Sequence, residues 1–251
     1  MKNFIFLNSL PRAGNTLLGS IINSNNNNNI KMTANSVLPD ILFKLENIKK
    51  DSIYLNFPDE KSFDNIKNSI FETYYKDWNC DFILERGPWG TPDNLNILKS
   101  IFDKPKFVLL KRPLLECICS IVELYRIRKE DTFLFTENNL MNKQGVIGKW
   151  LWGIENIIKE DLDYKVFHYK DLVNNTDKFL KELGKFIKTP IQVPKKLKQF
   201  KVNNVEYNDK ILDNKNFHTI KTNKITYVKY NIKKMLSDKL IKKYKNEKIY
   251  F

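Results

Sequence analysis

The chain reads as an α/β protein of the P-loop-like kind, with a central parallel sheet flanked by helices on both faces. Three observations predict this. Short apolar runs rich in β-branched and aromatic residues recur at 4–7, 81–84, 107–110 and 165–169. Helix-length segments separate these runs, the pattern of parallel strands covered on both sides. The stretch from Leu7 through Asn8, Ser9, Leu10, Pro11, Arg12, Ala13 and Gly14 to Asn15 and Thr16 passes from a buried strand through a tight turn into a helix start. With 251 residues and no Gly/Ser- or Pro-rich linker, one domain is expected over 1–251. Its core is expected over about 1–190, followed by an irregular covering segment and a basic C-terminal helix over 190–251.

Taken in order, the first strand feeds the turn, and a helix over 16–24 follows it. Five asparagines over 25–29 end that helix and read as a loop by composition. A helix is expected over 38–48, then the strand at 81–84 and the strand at 107–110. Pro113 suits a first helical position. Behind it Leu114, Cys117, Ile118, Ile121, Val122 and Tyr125 form a core-facing stripe over 113–127. After the strand at 165–169, Phe179, Leu180, Leu183, Phe186 and Ile187 repeat the helical pattern over 175–188, with Thr176 and Asp177 as cap candidates. From 190 to 224 no period holds, so this segment is either a long covering loop or a mobile lid. Residues 232–244 close the chain as a basic helix.

Lys and Arg number 43 against 29 Asp and Glu, a net charge of +14. That balance suits a polyanionic ligand or substrate or a nucleic acid, and equally a set of solvated lysines scattered over the surface. Cys80, Cys117 and Cys119 lack metal-ligand spacing, and His168 and His218 are the only histidines. No metal is expected. Reduced, buried thiols suit the cytoplasm. Neither a secretory leader nor a membrane span is expected.

The turn makes an anion cradle. Its backbone N–H groups converge with the unpaired amides of the helix start, so an anion meets dipoles already in place. Arg12 adds a cation, Gly14 permits the bend and Thr16 offers a hydroxyl. A kinase-type loop would carry a lysine before its threonine, and here that residue is Asn15. A second arginine, Arg112, ends the strand at 107–110, where ligands bind in open α/β sheets, and Ser120 lies eight residues on. Arg12 and Arg112 could hold phosphates at opposite ends of one nucleotide, although an ordinary strand-end arginine with a helix serine is the better reading of that pair by itself.

Together these motifs resemble the sulfotransferase family. The run from Leu10 to Leu18 looks like its 5′-phosphosulfate loop, and Arg112 with Ser120 matches the spacing of its 3′-phosphate motif. His168-Tyr169-Lys170-Asp171-Leu172 and Trp150 are similar to later family landmarks. Glu85-Arg86-Gly87-Pro88-Trp89 and Val37-Leu38-Pro39 look most like the tyrosylprotein sulfotransferase branch. The resemblance implies transfer of a sulfuryl group from 3′-phosphoadenosine 5′-phosphosulfate (PAPS) to an acceptor hydroxyl. That acceptor would be a protein tyrosine, a glycan or a small alcohol, and an acidic peptide or an anionic glycan would suit the basic chain. Arg12, Ala13, Gly14, Asn15 and Thr16 would hold the 5′-phosphosulfate, and Arg112 and Ser120 the 3′-phosphate. Tyr169 would lie near adenine or phosphate. Arg12 and Arg86, the latter in place of the family's lysine, would stabilise the charge that builds in transfer.

The branch's base, a glutamate three residues before its V-I-P, falls on Ala34. Glu85 and Asp40 are the carboxylates left to take that role, with Glu85 expected to face away from Arg86. Lys221 and Thr222 either touch phosphate from the C-terminal segment or belong to a solvated basic loop beside a surface His218. Two other classes stay open: a non-catalytic basic nucleotide- or nucleic-acid-binding module, and a kinase-like phosphotransferase.

Overall fold

A computed structural model gives the architecture and describes residues 2–25, 27–212, 216–220 and 224–245. Five strands form the main sheet: β1 (Asn3–Leu7), β2 (Ile30–Asn35), β3 (Phe82–Arg86), β4 (Phe107–Lys111) and β5 (Tyr164–His168). Their order is β2-β3-β1-β4-β5 and every pairing is parallel. Between them run α1 (Asn15–Ser24), α2 (Leu38–Ile48), α3 (Ser52–Asn56), α4 (Glu60–Tyr74), α5 (Pro92–Ile101) and α6 (Leu114–Tyr125). Beyond these come α7 (Thr132–Phe135), α8 (Gly148–Lys159), α9 (Tyr169–Asn174), α10 (Thr176–Ile187), α11 (Ile232–Met235) and α12 (Asp238–Tyr244).

Alternation along each strand builds two cores. Phe6 and Ile83 face a layer with Leu42, Phe71, Leu95, Cys117 and Leu151, so α2, α4, α5, α6 and α8 cover that side. Ile5, Leu7 and Leu84 face Leu18, Ile21, Leu172, Phe179 and Leu183, and α1, α9 and α10 cover the other. In β4, Phe107 and Leu109 serve the first layer and Val108 and Leu110 the second. Side chains buried on both faces are what a parallel sheet requires.

The sequence reading needs several corrections. β2 has no counterpart in it, because lysine and asparagine interrupt the apolar pattern of an edge strand. That edge is finished from outside the sheet: Asn23 Nδ2 donates to Met32 O at 2.9 Å, and Met32 N–H donates to Asn23 Oδ1 at 2.9 Å. The asparagine run is more than a loop, since buried Asn28 donates to Ile22 O at 3.0 Å and accepts from Gln192 N–H at 2.9 Å. Pro113 and Asn175 are N-caps rather than helical residues or bystanders, and Thr176 turns its hydroxyl back onto Leu172 O at 2.7 Å. The C-terminal helix is two helices, broken at Leu236 and Ser237. Residues 190–212 cover α1 as a segment that includes a two-stranded hairpin of β6 (Lys201–Val202) and β7 (Val205–Glu206). Phe200 packs so closely there that a Cβ on Gly19 of α1 would lie 2.1 Å from its ring.

β2 and β3 lie to one side of β1, and β4 and β5 to the other. The chain direction thus reverses between β1 and β4, and the loops leaving those two strands part to form a crevice.

Candidate functional site

The loop after β1 forms the floor of that crevice. Asn8 and Ser9 are fully buried, and Asn8 N–H donates to Val108 O at 3.1 Å. Arg12 has φ of 67° and Gly14 has φ of 103°, both left-handed, while Ala13 between them is not. Alternating conformations of this kind turn successive N–H groups to one side, and the first amides of α1 continue the set. Arg12 holds a conformation that non-glycine residues adopt at a cost, a feature that concentrates at functional sites. Gly14 has a second reason to be glycine: a Cβ there would lie 2.5 Å from Cδ2 of Tyr169.

The side chain of Asn15 turns inward instead of toward a ligand. It accepts from Ser9 Oγ and donates to Leu10 O at 2.8 Å, so only its main-chain N–H is left for an anion. Its amide braces the turn that a lysine would have left to the phosphate.

Arg12, Arg112 and Ser120 converge. Arg12 Nε donates to Ser120 Oγ at 3.0 Å, and Arg112 Nη1 donates to Arg12 O at 3.0 Å. Arg12 thus reaches across the crevice to α6, while Arg112 braces the backbone of the loop from the end of β4. Arg112 is buried, pairs through Nε with Glu116 Oε2 at 3.0 Å and lies 4.4 Å from the ring centre of Tyr169. Tyr169 opens α9 rather than ending β5, and its own ring lies 5.6 Å from that of Tyr227. Tyr227 OH donates to Glu116 Oε1 at 2.6 Å.

Arg86 leaves the end of β3 on the same side of the molecule. Its Nη1 donates to Asn35 Oδ1, its guanidinium lies 5.1 Å from the Trp150 ring, and Tyr207 lies near both it and Thr16. Arg86 is 6% exposed, and its Nε has no hydrogen-bond partner among the described residues. An orphaned buried N–H is costly unless something anionic or polar meets it.

Glu85 faces away from Arg86, into the core. It is fully buried, receives Tyr75 OH at 3.0 Å, Trp89 Nε1 at 3.3 Å and Thr33 Oγ1 at 3.5 Å, and burial pushes its carboxyl up to about 7. Enclosed in this way it reaches no acceptor directly. Asp40 sits exposed in the first turn of α2. Neither expected base lies among the groups that converge on the loop.

The C-terminal segment, expected as a covering loop or lid, supplies a wall of the crevice. Arg12 Nη1 donates to Phe217 O at 2.6 Å, and Arg112 Nη2 donates to Val228 O at 3.1 Å. His218, expected on the surface, is half-buried: its ring stacks on Tyr207 at 3.6 Å, and Nδ1 meets Asp209 Oδ1 at 2.7 Å. Lys221 and Thr222 lie outside the described residues.

Three guanidiniums, a row of main-chain amides and two hydroxyls thus face one crevice. Such an arrangement suits a ligand carrying more than one anionic group. Among the described residues no group of three or more His, Cys, Asp or Glu is positioned to hold a metal. Nor is any helix among them long and apolar enough to cross a membrane.

No protein-family model matches the chain, and no curated protein matches its sequence. Among solved structures it is similar to the sulfotransferase domain of the Synechococcus PCC 7002 olefin synthase, at 16% identity and a TM-score of 0.51, over 84% of each chain. The sulfotransferase domain of the curacin biosynthetic pathway aligns at 17% identity and a TM-score of 0.49, over 76% of each chain. A mouse sulfotransferase complexed with PAP aligns at 16% identity and a TM-score of 0.47, over 76% of this chain and 59% of its own. The likeness to the olefin-synthase domain fixes the fold: this chain has the architecture of sulfotransferases.

Proposed function

We propose that this chain is a sulfotransferase that moves a sulfuryl group from PAPS to an acceptor hydroxyl. The observation that carries the reading is the convergence of Arg12, Ser120 and Arg112 on the loop between β1 and α1, in a fold shared with a sulfotransferase domain. PAPS carries anionic groups on both the 5′ and 3′ sides of one ribose, and a cluster of arginines around a helix N-terminus suits both. The main-chain amides of residues 13–16 and the Thr16 hydroxyl would take the 5′-phosphosulfate, and Arg112 and Ser120 the 3′-phosphate. Tyr169, stacked between Arg112 and Tyr227, would flank the nucleotide.

Arg12 and Arg86 would meet the negative charge that builds on the peripheral and leaving oxygens during transfer, and the orphaned Nε–H of Arg86 supports an anionic oxygen there. These groups are already in position, so their charge costs no reorganisation at the moment of transfer. We take residues 1–251 as one such domain. Three unpaired, buried cysteines support a reducing, cytoplasmic setting, and an acceptor drawn from tyrosine-bearing acidic peptides, anionic glycans or small alcohols suits the +14 charge.

The test is transfer of label from [³⁵S]PAPS to a panel of these acceptors. Wild type is expected to label at least one acceptor, and Arg86→Ala is expected to lower kcat by about 100-fold or more, the usual cost of losing one preorganised donor. Magnesium-dependent ATP turnover without any sulfate transfer would overturn the reading in favour of a kinase-like enzyme. Salt-sensitive DNA binding that survives Arg12→Ala would do so in favour of a nucleic-acid module.

A further inference from the structure

Beside the carboxylates that the sequence offered as bases, the structure brings a paired histidine to the same crevice. We propose that His218, held by Asp209, is the general base that takes the acceptor proton; this rests on the sulfotransferase reading above. Asp209 grips the histidine twice, through main-chain N–H of His218 to Oδ2 at 2.9 Å and through Nδ1 to Oδ1 at 2.7 Å. A carboxylate on Nδ1 holds the proton there and leaves Nε2 as the nitrogen that can accept one.

The position of the pair is fixed from two further sides. Phe217, the preceding residue, receives Arg12 Nη1 at 2.6 Å. Tyr207 lies parallel to the imidazole at 3.6 Å and 4°, and it neighbours Arg86 and Thr16. His218 therefore stands one ring's thickness from a residue that neighbours both groups assigned to the transferring end of the donor. The charged and titratable groups around it are Asp209, Tyr207, Arg12 and Arg86. Burial lowers its pKa against the pull of Asp209, which keeps the ring neutral and ready to accept a proton near pH 7.

In the step, the acceptor O–H gives its proton to Nε2 while the acceptor oxygen forms the new bond to sulfur. The bond between sulfur and the bridging oxygen of PAPS breaks, and its electron pair leaves on the 5′-phosphate of adenosine 3′,5′-bisphosphate (PAP). His218 later returns the proton to solvent.

The experiment uses the full chain carrying His168→Gln, so that His218 gives the one imidazole signal in an NMR titration, with PAP as the probe. Saturating PAP is expected to move that signal and raise its pKa, as added negative charge nearby must, and Asp209→Asn is expected to remove the fixed tautomer. In parallel, His218→Gln should bind PAP within about twofold of wild type. It should hydrolyse PAPS, with water as acceptor, about 100-fold more slowly and without the acid limb of the wild-type pH profile. PAP binding confirmed by calorimetry with an unmoved His218 signal overturns this proposal alone. Unchanged hydrolysis and pH profile in His218→Gln does the same. No PAP binding by wild type overturns the sulfotransferase reading as well.

Discussion

Gly14 concentrates the physical demands of the loop in one residue. Its φ of 103° is expensive for any side chain, and the space a Cβ would need is already taken by Tyr169. Gly14→Ala is expected to cost about 2 kcal/mol or more, the left-handed penalty plus the displacement of Tyr169, measured by urea denaturation. Arg112 shows why charge alone is a poor description of a site residue. Its three nitrogens hold Glu116, the loop after β1 and the C-terminal segment at once, a planar fork that lysine cannot reproduce. Arg112→Lys should therefore behave like Arg112→Ala in PAP binding. Glu85 makes a pH prediction with a definite sign. Its folded carboxyl, at about 7, lies above the ordinary value of 4.5, so the folded state holds the proton more tightly than the unfolded chain. Stability from this group is full below pH 4.5 and falls as pH rises toward 7, by on the order of 3 kcal/mol. Glu85→Gln should flatten that slope in thermal melts, whereas a slope unchanged by the substitution would show that other groups set it.

At the scale of elements, the site depends on how closely helices meet strand ends. Gly90, in the turn after β3, and Gly153 of α8 touch backbone to backbone: a Cβ on Gly90 would lie 2.2 Å from Gly153 O. Asn8 ties the same junction together, accepting from Gly90 N–H at 3.1 Å and donating to Trp150 O at 3.4 Å. Gly90→Ala should push α8 outward, cost about 1–3 kcal/mol and shift Trp150 off Arg86, read as a fall in both melting temperature and kcat. The strands and helices that the sequence showed clearly were those buried on both faces or striped at helical spacing, such as β4 and α6. β2 was hidden because an edge strand finished by the Asn23 amide needs no continuous apolar run. The loop and the Arg112–Ser120 spacing were legible because their residue types are set locally by backbone geometry and charge. Tyr207, Asp209 and His218 were not, since their meaning comes only from packing against residues about 200 positions earlier in the chain.

For the whole molecule, the order β2-β3-β1-β4-β5 explains why one crevice gathers contributions from the loop after β1, the end of β3, the end of β4, the start of α9 and the C-terminal segment. The reversal between β1 and β4 opens the sheet at one place, and each element that ends there delivers its terminal residue to the same crevice. The net charge of +14 is spread more widely than this site, so the arginines are distinguished by burial and pairing rather than by number. The central claim is that the crevice grips a nucleotide with phosphates on both sides of its ribose. Isothermal titration of wild type and Arg112→Ala with PAP and with AMP measures this directly. Wild type should prefer PAP over AMP by at least about 100-fold, the equivalent of roughly 3 kcal/mol, and Arg112→Ala should lose most of that preference. Equal affinity for the two nucleotides, or a preference that survives Arg112→Ala intact, would contradict it.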